Sequence, residues 1–229
     1  MTQEQTNTAI LPVPNTQKDF YDWNERRALK LAQAQGGSHD LIFIGDSITH
    51  LFEEEGRGLP VWRCHYGQRK VLDLGYGWDC TQNVLWRLEN GEFAGQQPKL
   101  VVLTIGTNNL TGNDSARANT AAEIVEGINA ICSFIHRQSP ATTILVMAIF
   151  PRGLSHEPIH AQVKELNTAL KASLAERHGI LHLDIGSRLL GPDGEIPTEV
   201  MDDRCHPTEK GYAIWAQAID SVIAEYLGV

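Results

Sequence analysis

Five short, nearly continuous apolar runs, at positions 41–44, 71–74, 100–105, 143–150 and 180–184, constrain this chain more than any other feature. A strand with one wet face alternates apolar and polar residues, whereas runs apolar at successive positions expect cover on both sides. Glycine or proline follows each run, directly or one residue on. Before, between and after them lie longer segments of helical spacing at 17–35, 81–89, 116–137, 159–177 and 208–227, the third preceded by a capping candidate at Asp114 or Ser115. Strand and helix thus alternate to the end, the pattern of a parallel sheet between two helical layers. The expected fold is α/β, a three-layer α/β/α sandwich of flavodoxin-like type with a five-stranded parallel sheet. With 229 residues and neither repeat nor linker, one domain over 17–229 is expected, preceded by an N-terminal extension at 1–16.

In open parallel sheets, ligands collect at the carboxyl ends of the strands. Ser47 follows the first run directly in Gly45-Asp46-Ser47, Trp78 follows the second and Asn108 the third, so three candidate groups share one rim. A serine hydroxyl is a weak nucleophile until a base takes its proton and a carboxylate fixes that base's tautomer. Asp203-Arg204-Cys205-His206 offers both, an acid and an imidazole three residues apart. By itself, Gly45-Asp46-Ser47 is equally the mark of a strand-to-helix turn with a capping serine.

Composition and rival motifs narrow the field. Nineteen basic against 28 acidic residues give a formal charge of −9, and no basic run is long enough to follow a phosphate backbone, which argues against nucleic acid as a partner. Cysteines at 64, 80, 132 and 205 have neither zinc-site spacing nor disulfide-framework density and read as free thiols, Cys205 as a small buried filler. His156-Glu157-Pro158-Ile159-His160 has the letters of a zinc-protease helix, but Pro158 belongs in a first helical turn and leaves His156 in the preceding loop, so no metal is expected. Thr49 stands where Gly-x-Ser-x-Gly needs its second glycine, and Cys80 where a dinucleotide loop needs its third. No cofactor is expected either. No window approaches the ~18 apolar residues of a membrane span, and the first twenty residues hold no apolar stretch of signal-peptide length, which points to the cytoplasm.

With these residues in place, the sequence resembles a known family, the GDSL or SGNH hydrolases, marked by a serine, a glycine, an asparagine and a histidine in that order. The family's first block is like Phe43-Ile44-Gly45-Asp46-Ser47, its third like Gly106-Thr107-Asn108 and its last like Asp203-x-x-His206. Within the family, the stretches VLWRLENGE (84–92), IGTNN (105–109) and FPRG (150–153) are similar to the catalytic subunits of intracellular platelet-activating-factor acetylhydrolases and to related bacterial esterases. The resemblance implies Ser47 as nucleophile, His206 as general base and then acid, and Asp203 as the group that orients His206, with Asp202 the nearest alternative carboxylate. It also implies an oxyanion hole built from the backbone N–H of Ser47, the side-chain amide of Asn108 and the N–H of a second-block glycine. That glycine is missing. In Asp73-Leu74-Gly75-Tyr76-Gly77-Trp78-Asp79, its place before the aspartate is held by Trp78. Every residue but proline carries an N–H, so either Trp78 donates, or Gly77 takes over in a shifted register, or the hole is impaired.

An indole at that rim can wall the substrate pocket, stacking on a sugar ring or an apolar group, or it can turn into the core and merely pack. His50, one helical turn beyond Ser47, is a second candidate for substrate contact, and Arg152 stays open between facing the site and capping a helix. The expected activity is a cofactor-independent serine carboxylic-ester hydrolase working through an acyl-enzyme on Ser47, to which the resemblance adds a preference for acetyl groups. Acetylated carbohydrate is the first choice of small acylated substrate and a lipid or ether-phospholipid acetyl ester the second. A catalytically weak SGNH domain that binds a ligand or partner is the alternative of another class. The resemblance further implies a homodimer.

Overall fold

A computed structural model describes residues 6–228 of the chain. The apolar runs form strands β1 (Leu41–Gly45), β2 (Val71–Gly75), β3 (Leu100–Thr104), β4 (Thr143–Met147) and β5 (Ile180–Leu183). All pair in parallel, in the order β2-β1-β3-β4-β5. Successive strands are added on one side of β1 and then on the other, so the switch point flanks β1, where a crevice opens beyond the strand ends. Gly45 is level with Gly75 on one side and Thr104 on the other, which brings the residues after β1, β2 and β3 to one rim.

Strand alternation divides the core in two. Leu41, Phe43, Leu100, Val102, Leu145 and Met147 pack toward α3 (Leu59–Tyr66) and α7 (Glu209–Leu227). Ile42, Ile44, Leu72, Leu74, Val101, Leu103, Ile144 and Val146 pack toward α1 (Trp23–Gln35), α4 (Thr81–Arg87), α5 (Ala121–Gln138) and α6 (Pro158–Leu174). The three-layer α/β/α sandwich is as the apolar runs require.

The boundaries differ where side chains override spacing. α1 begins at Trp23, because the Asp22 carboxylate accepts the N–H groups of Asn24 and Glu25, and this leaves Phe20 in the loop before the helix. α5 starts at Ala121 instead of 116, capped by a reciprocal box between Thr120 and Glu123 and not by Asp114 or Ser115. The eight-residue α3 was not foreseen. The end of the 143–150 run stays buried but lies beyond β4. Of the expected N-terminal extension, residues 1–5 lie outside the described residues; Thr8–Ile10 forms a 3-10 turn against α4 and α5 with Ala9 fully buried, so this segment is packed onto the domain. Among the described residues, no helix is long and apolar enough to cross a membrane.

Candidate active site

β1 stops at Gly45, and Asp46 turns the chain by accepting the N–H of Ile48 at 2.9 Å, which caps the one-turn helix α2 (Ser47–His50). This short helix lies directly on the strand ends. A Cβ on Gly45 would overlap the Thr49 side chain and the Thr104 carbonyl, and one on Gly75 would overlap the backbone at His50. Glycine at both positions is therefore what lets Ser47 sit close above the sheet. Burial pushes the Asp46 carboxyl up to about 7; Asp79 adds to the rise, while the Ile48 N–H and Arg152 oppose it.

Ser47 Oγ lies 2.8 Å from His206 Nε2, and His206 Nδ1 lies 2.6 Å from Asp203 Oδ2. The other carboxylate oxygen accepts the N–H groups of Cys205 (2.9 Å) and His206 (2.7 Å). Burial alone would raise the Asp203 pKa, but the backbone N–H and ring of His206 outweigh it and leave the carboxyl below its usual range. An ionised Asp203 favours the proton on Nδ1, so Nε2 presents its lone pair to the serine. Asp202 is engaged elsewhere, accepting from Arg57 Nη1 at 2.7 Å.

On the neighbouring rim, Trp78 adopts φ = +64°, in the left-handed region where glycine is at ease and a side chain is strained. The Gly77 N–H is engaged, donating to His50 Nδ1 at 3.3 Å. The Trp78 carbonyl accepts from Asn113 Nδ2 at 2.8 Å, whereas the N–H groups of Trp78 and Ser47 have no acceptor among the described residues. Asn108 gives one amide hydrogen to the Asp79 carbonyl at 3.2 Å and keeps a second one free of that bond. Below this loop, the buried Asp79 carboxylate accepts from Asn15, Trp23 and Arg87, and Arg87 also bonds Glu92.

A cavity of about 430 Å³ opens here, bringing Ser47, His206, Trp78 and Asn108 together with Asp19, Phe20, Leu51, Arg57, Arg152 and Cys205. Arg152 thus faces the site, donating to the Thr107 carbonyl at 3.1 Å and its hydroxyl at 3.3 Å. Cys205 lines the cavity instead of filling the core, and burial pushes its thiol up to about 11, which keeps it protonated and unreactive. Phe20 is 67% exposed; its place at the rim was hidden by a spacing that assigned it to the α1 face. Its position two residues before the aspartate N-cap was the available signal.

His50 needs correction as a substrate contact. It is 2% exposed, beneath Phe20 and Tyr21, and does not line the cavity. Burial, with Arg26 and Lys30 nearby, pushes its pKa down to about 2, so the ring is neutral and its Nδ1 is an acceptor for Gly77. Pro158 opens α6 with His156 outside it, so the two imidazoles of the zinc-like motif do not share a helix.

The model of the GDSL-like Lipase/Acylhydrolase family matches residues 43–214, a span that includes Ser47, Trp78, Asn108, Asp203 and His206. The platelet-activating factor acetylhydrolase IB subunit alpha2 of Rattus norvegicus is 31% identical over 230 residues, covering 99% of this chain and 95% of that protein. Among solved structures, a GDSL-like lipase from Bacteroides thetaiotaomicron is similar with a TM-score of 0.70 at 17% identity, over 89% of this chain and 98% of the other. An acetylxylan esterase from Geobacillus stearothermophilus gives 0.62 at 19% identity, over 81% and 94%. These two share the fold.

Proposed function

We propose a serine-esterase mechanism for this chain, which belongs to the GDSL-like lipase/acylhydrolase family and is an acylhydrolase. The observation that carries the mechanism is the unbroken hydrogen-bonded chain from Asp203 through His206 to Ser47, opening into the cavity. Ser47 Oγ attacks the ester carbonyl as His206 Nε2 takes its proton. The carbonyl oxygen becomes an oxyanion that accepts from the N–H groups of Ser47 and Trp78 and from the Asn108 amide. Collapse expels the alcohol, which takes the proton from His206, and leaves an acyl-enzyme. Water, deprotonated by the same ring, then releases the acid and restores Ser47.

The acyl group is short, with acetyl first, in keeping with the names of both an acetylhydrolase and an acetylxylan esterase among the relatives. For the alcohol, acetylated carbohydrate is the first reading: Trp78 and Phe20 offer flat apolar faces beside Asp19, Arg57 and Arg152, groups that hydrogen-bond hydroxyls. A lipid acetyl ester is the second, favoured by the 31% identity to the rat protein over nearly the whole chain. The strained Trp78 backbone motivates a further alternative, a catalytically weak domain that binds ligands. The resemblance to the acetylhydrolases also supports a homodimer, checked by light scattering.

Ser47→Ala is expected to abolish hydrolysis of p-nitrophenyl acetate while the protein stays folded; a folded, active variant overturns the mechanism. Acetate release from acetylated xylooligosaccharides against platelet-activating-factor analogues separates the two substrate readings. Inertness of Ser47 toward a fluorophosphonate, with tight glycan binding, would favour the binding module.

A further inference from the structure

The peptide unit between Gly77 and Trp78 carries two groups of opposite use. In a trans peptide the carbonyl and the N–H point in opposite directions within one rigid plane, so whatever holds the carbonyl aims the N–H. The Gly77 carbonyl accepts from the Tyr21 hydroxyl at 3.0 Å and, at a longer 3.4 Å, from Asn15 Nδ2. We propose that Tyr21 is a positioning residue for the oxyanion hole, its hydroxyl holding the Gly77 carbonyl on the far side of the loop and thereby aiming the Trp78 N–H at the cleft. The inference rests on the esterase reading and adds to it a residue that does not touch substrate, since Tyr21 is absent from the cavity lining.

A glycine would hold φ = +64° unaided, whereas a tryptophan there tends to relax to negative φ. Relaxation by rotation of the 77–78 peptide would replace the N–H at the cleft with a carbonyl, an acceptor where the oxyanion requires a donor. The flanking polar groups of the loop are bonded so as to resist that rotation. The Gly77 N–H is taken by His50 Nδ1, the Gly77 carbonyl by Tyr21 and Asn15, and the Trp78 carbonyl by Asn113. Tyr21 also packs closely over the loop, since a Cβ on Gly77 would come within 2.8 Å of its ring. Burial, reinforced by Asp79, raises the phenol pKa and keeps it a donor at every working pH.

Tyr21→Phe keeps the ring and removes the hydroxyl. Its expected effect on p-nitrophenyl acetate is a fall in kcat of about tenfold, the ratio that one hydrogen bond supports. KM should stay within twofold and the pH profile of kcat should keep its pKa, because Ser47, His206 and Asp203 are untouched. Phosphonylation of Ser47 by a fluorophosphonate should slow in parallel, as that reaction develops charge on an oxygen in the same hole. Tyr21→Leu, which loses the ring as well, reports the packing contribution separately through Tm. A Tyr21→Phe enzyme with kcat within twofold of the parent, or a loss confined to KM or matched by loss of folded protein, overturns the inference while leaving the esterase reading intact. A parent enzyme without Ser47-dependent turnover overturns both.

Discussion

Trp78 holds a conformation that disfavours a side-chain-bearing residue by about 1–2 kcal/mol relative to glycine. Trp78→Gly removes that strain and the indole, but not the N–H proposed as an oxyanion donor. For p-nitrophenyl acetate, which is too small to need the indole wall, kcat is expected to stay within about threefold of the parent. For an acetylated xylooligosaccharide, KM is expected to rise about tenfold through loss of the stacking face. Steady-state kinetics on both substrates check this, and an equal collapse of kcat on both would assign the indole a part in the chemistry. The departure at position 78 was legible in the sequence, as were the candidates Ser47, Asp203 and His206 that the fold brings within hydrogen-bond distance, because each lies in a short local motif. The φ angle and the Tyr21 bond were not legible, since Tyr21 reaches Gly77 across 56 residues and Asn113 reaches Trp78 across 35. Arg152 could be placed at the end of a strand, but its direction depends on the Thr107 groups that receive it.

At the scale of elements, α2 reaches the loop after β2 through His50, whose neutral ring takes the Gly77 N–H. The pKa of this ring is pushed down to about 2, against about 6.5 in an unfolded chain. Below pH 6.5 the unfolded state therefore binds a proton that the folded state refuses. The contribution to stability is full above that pH and falls by up to about 1.4 kcal/mol per pH unit as the solution is acidified toward pH 2. Asp46 and Asp73, each pushed up to about 7 chiefly by burial, act with the opposite sign: their contribution is full below the unfolded carboxylate pKa and is lost as pH rises through 7. His50→Asn can still accept from Gly77 but does not titrate. Its stability relative to the parent is expected to improve steadily from pH 6.5 to 4 by urea denaturation; a difference independent of pH would rule out a buried neutral imidazole. The same scale explains what the helical spacing misread. Residues 113–119 carry helix-compatible alanines, yet Asn113 and Asn119 bond the Trp78 carbonyl and the Asn109 and Thr8 side chains, so local polar bonds win and α5 waits for Thr120. The strands had no such competitor, because apolar runs have nowhere to go but the sheet. α3, eight residues between Gly58 and Gly67, is too short for periodicity to reveal.

Across the whole molecule, the chain before α1 ties the rim that carries Trp78 to the first turns of α4 and α5. Asn7 bonds Glu123 and Glu126 on α5, the Ala9 carbonyl accepts from Thr81, and the Val13 carbonyl accepts from Asn83 on α4. Asn15 then reaches the buried Asp79 carboxylate at 3.0 Å, next to Trp78. Asp79 is fully buried and paired with Arg87, so removing Asn15 takes a hydrogen-bond donor from a buried carboxylate. A hydrogen bond to a buried charge contributes about 1.5–3 kcal/mol, and burial of Ala9 adds to it. A chain beginning at Gln17 is therefore expected to melt roughly 5–10 °C lower in a single transition, at about 2–4 °C per kcal/mol for a domain of this size. It should also lose kcat on p-nitrophenyl acetate, since the Gly77 carbonyl keeps Tyr21 but no longer has Asn15. Calorimetry with parallel kinetics tests both halves. An unchanged Tm would make residues 1–16 an extension separate from the domain, as expected from the sequence, and a lowered Tm with full kcat would separate the fold's need for it from that of the loop that carries Trp78.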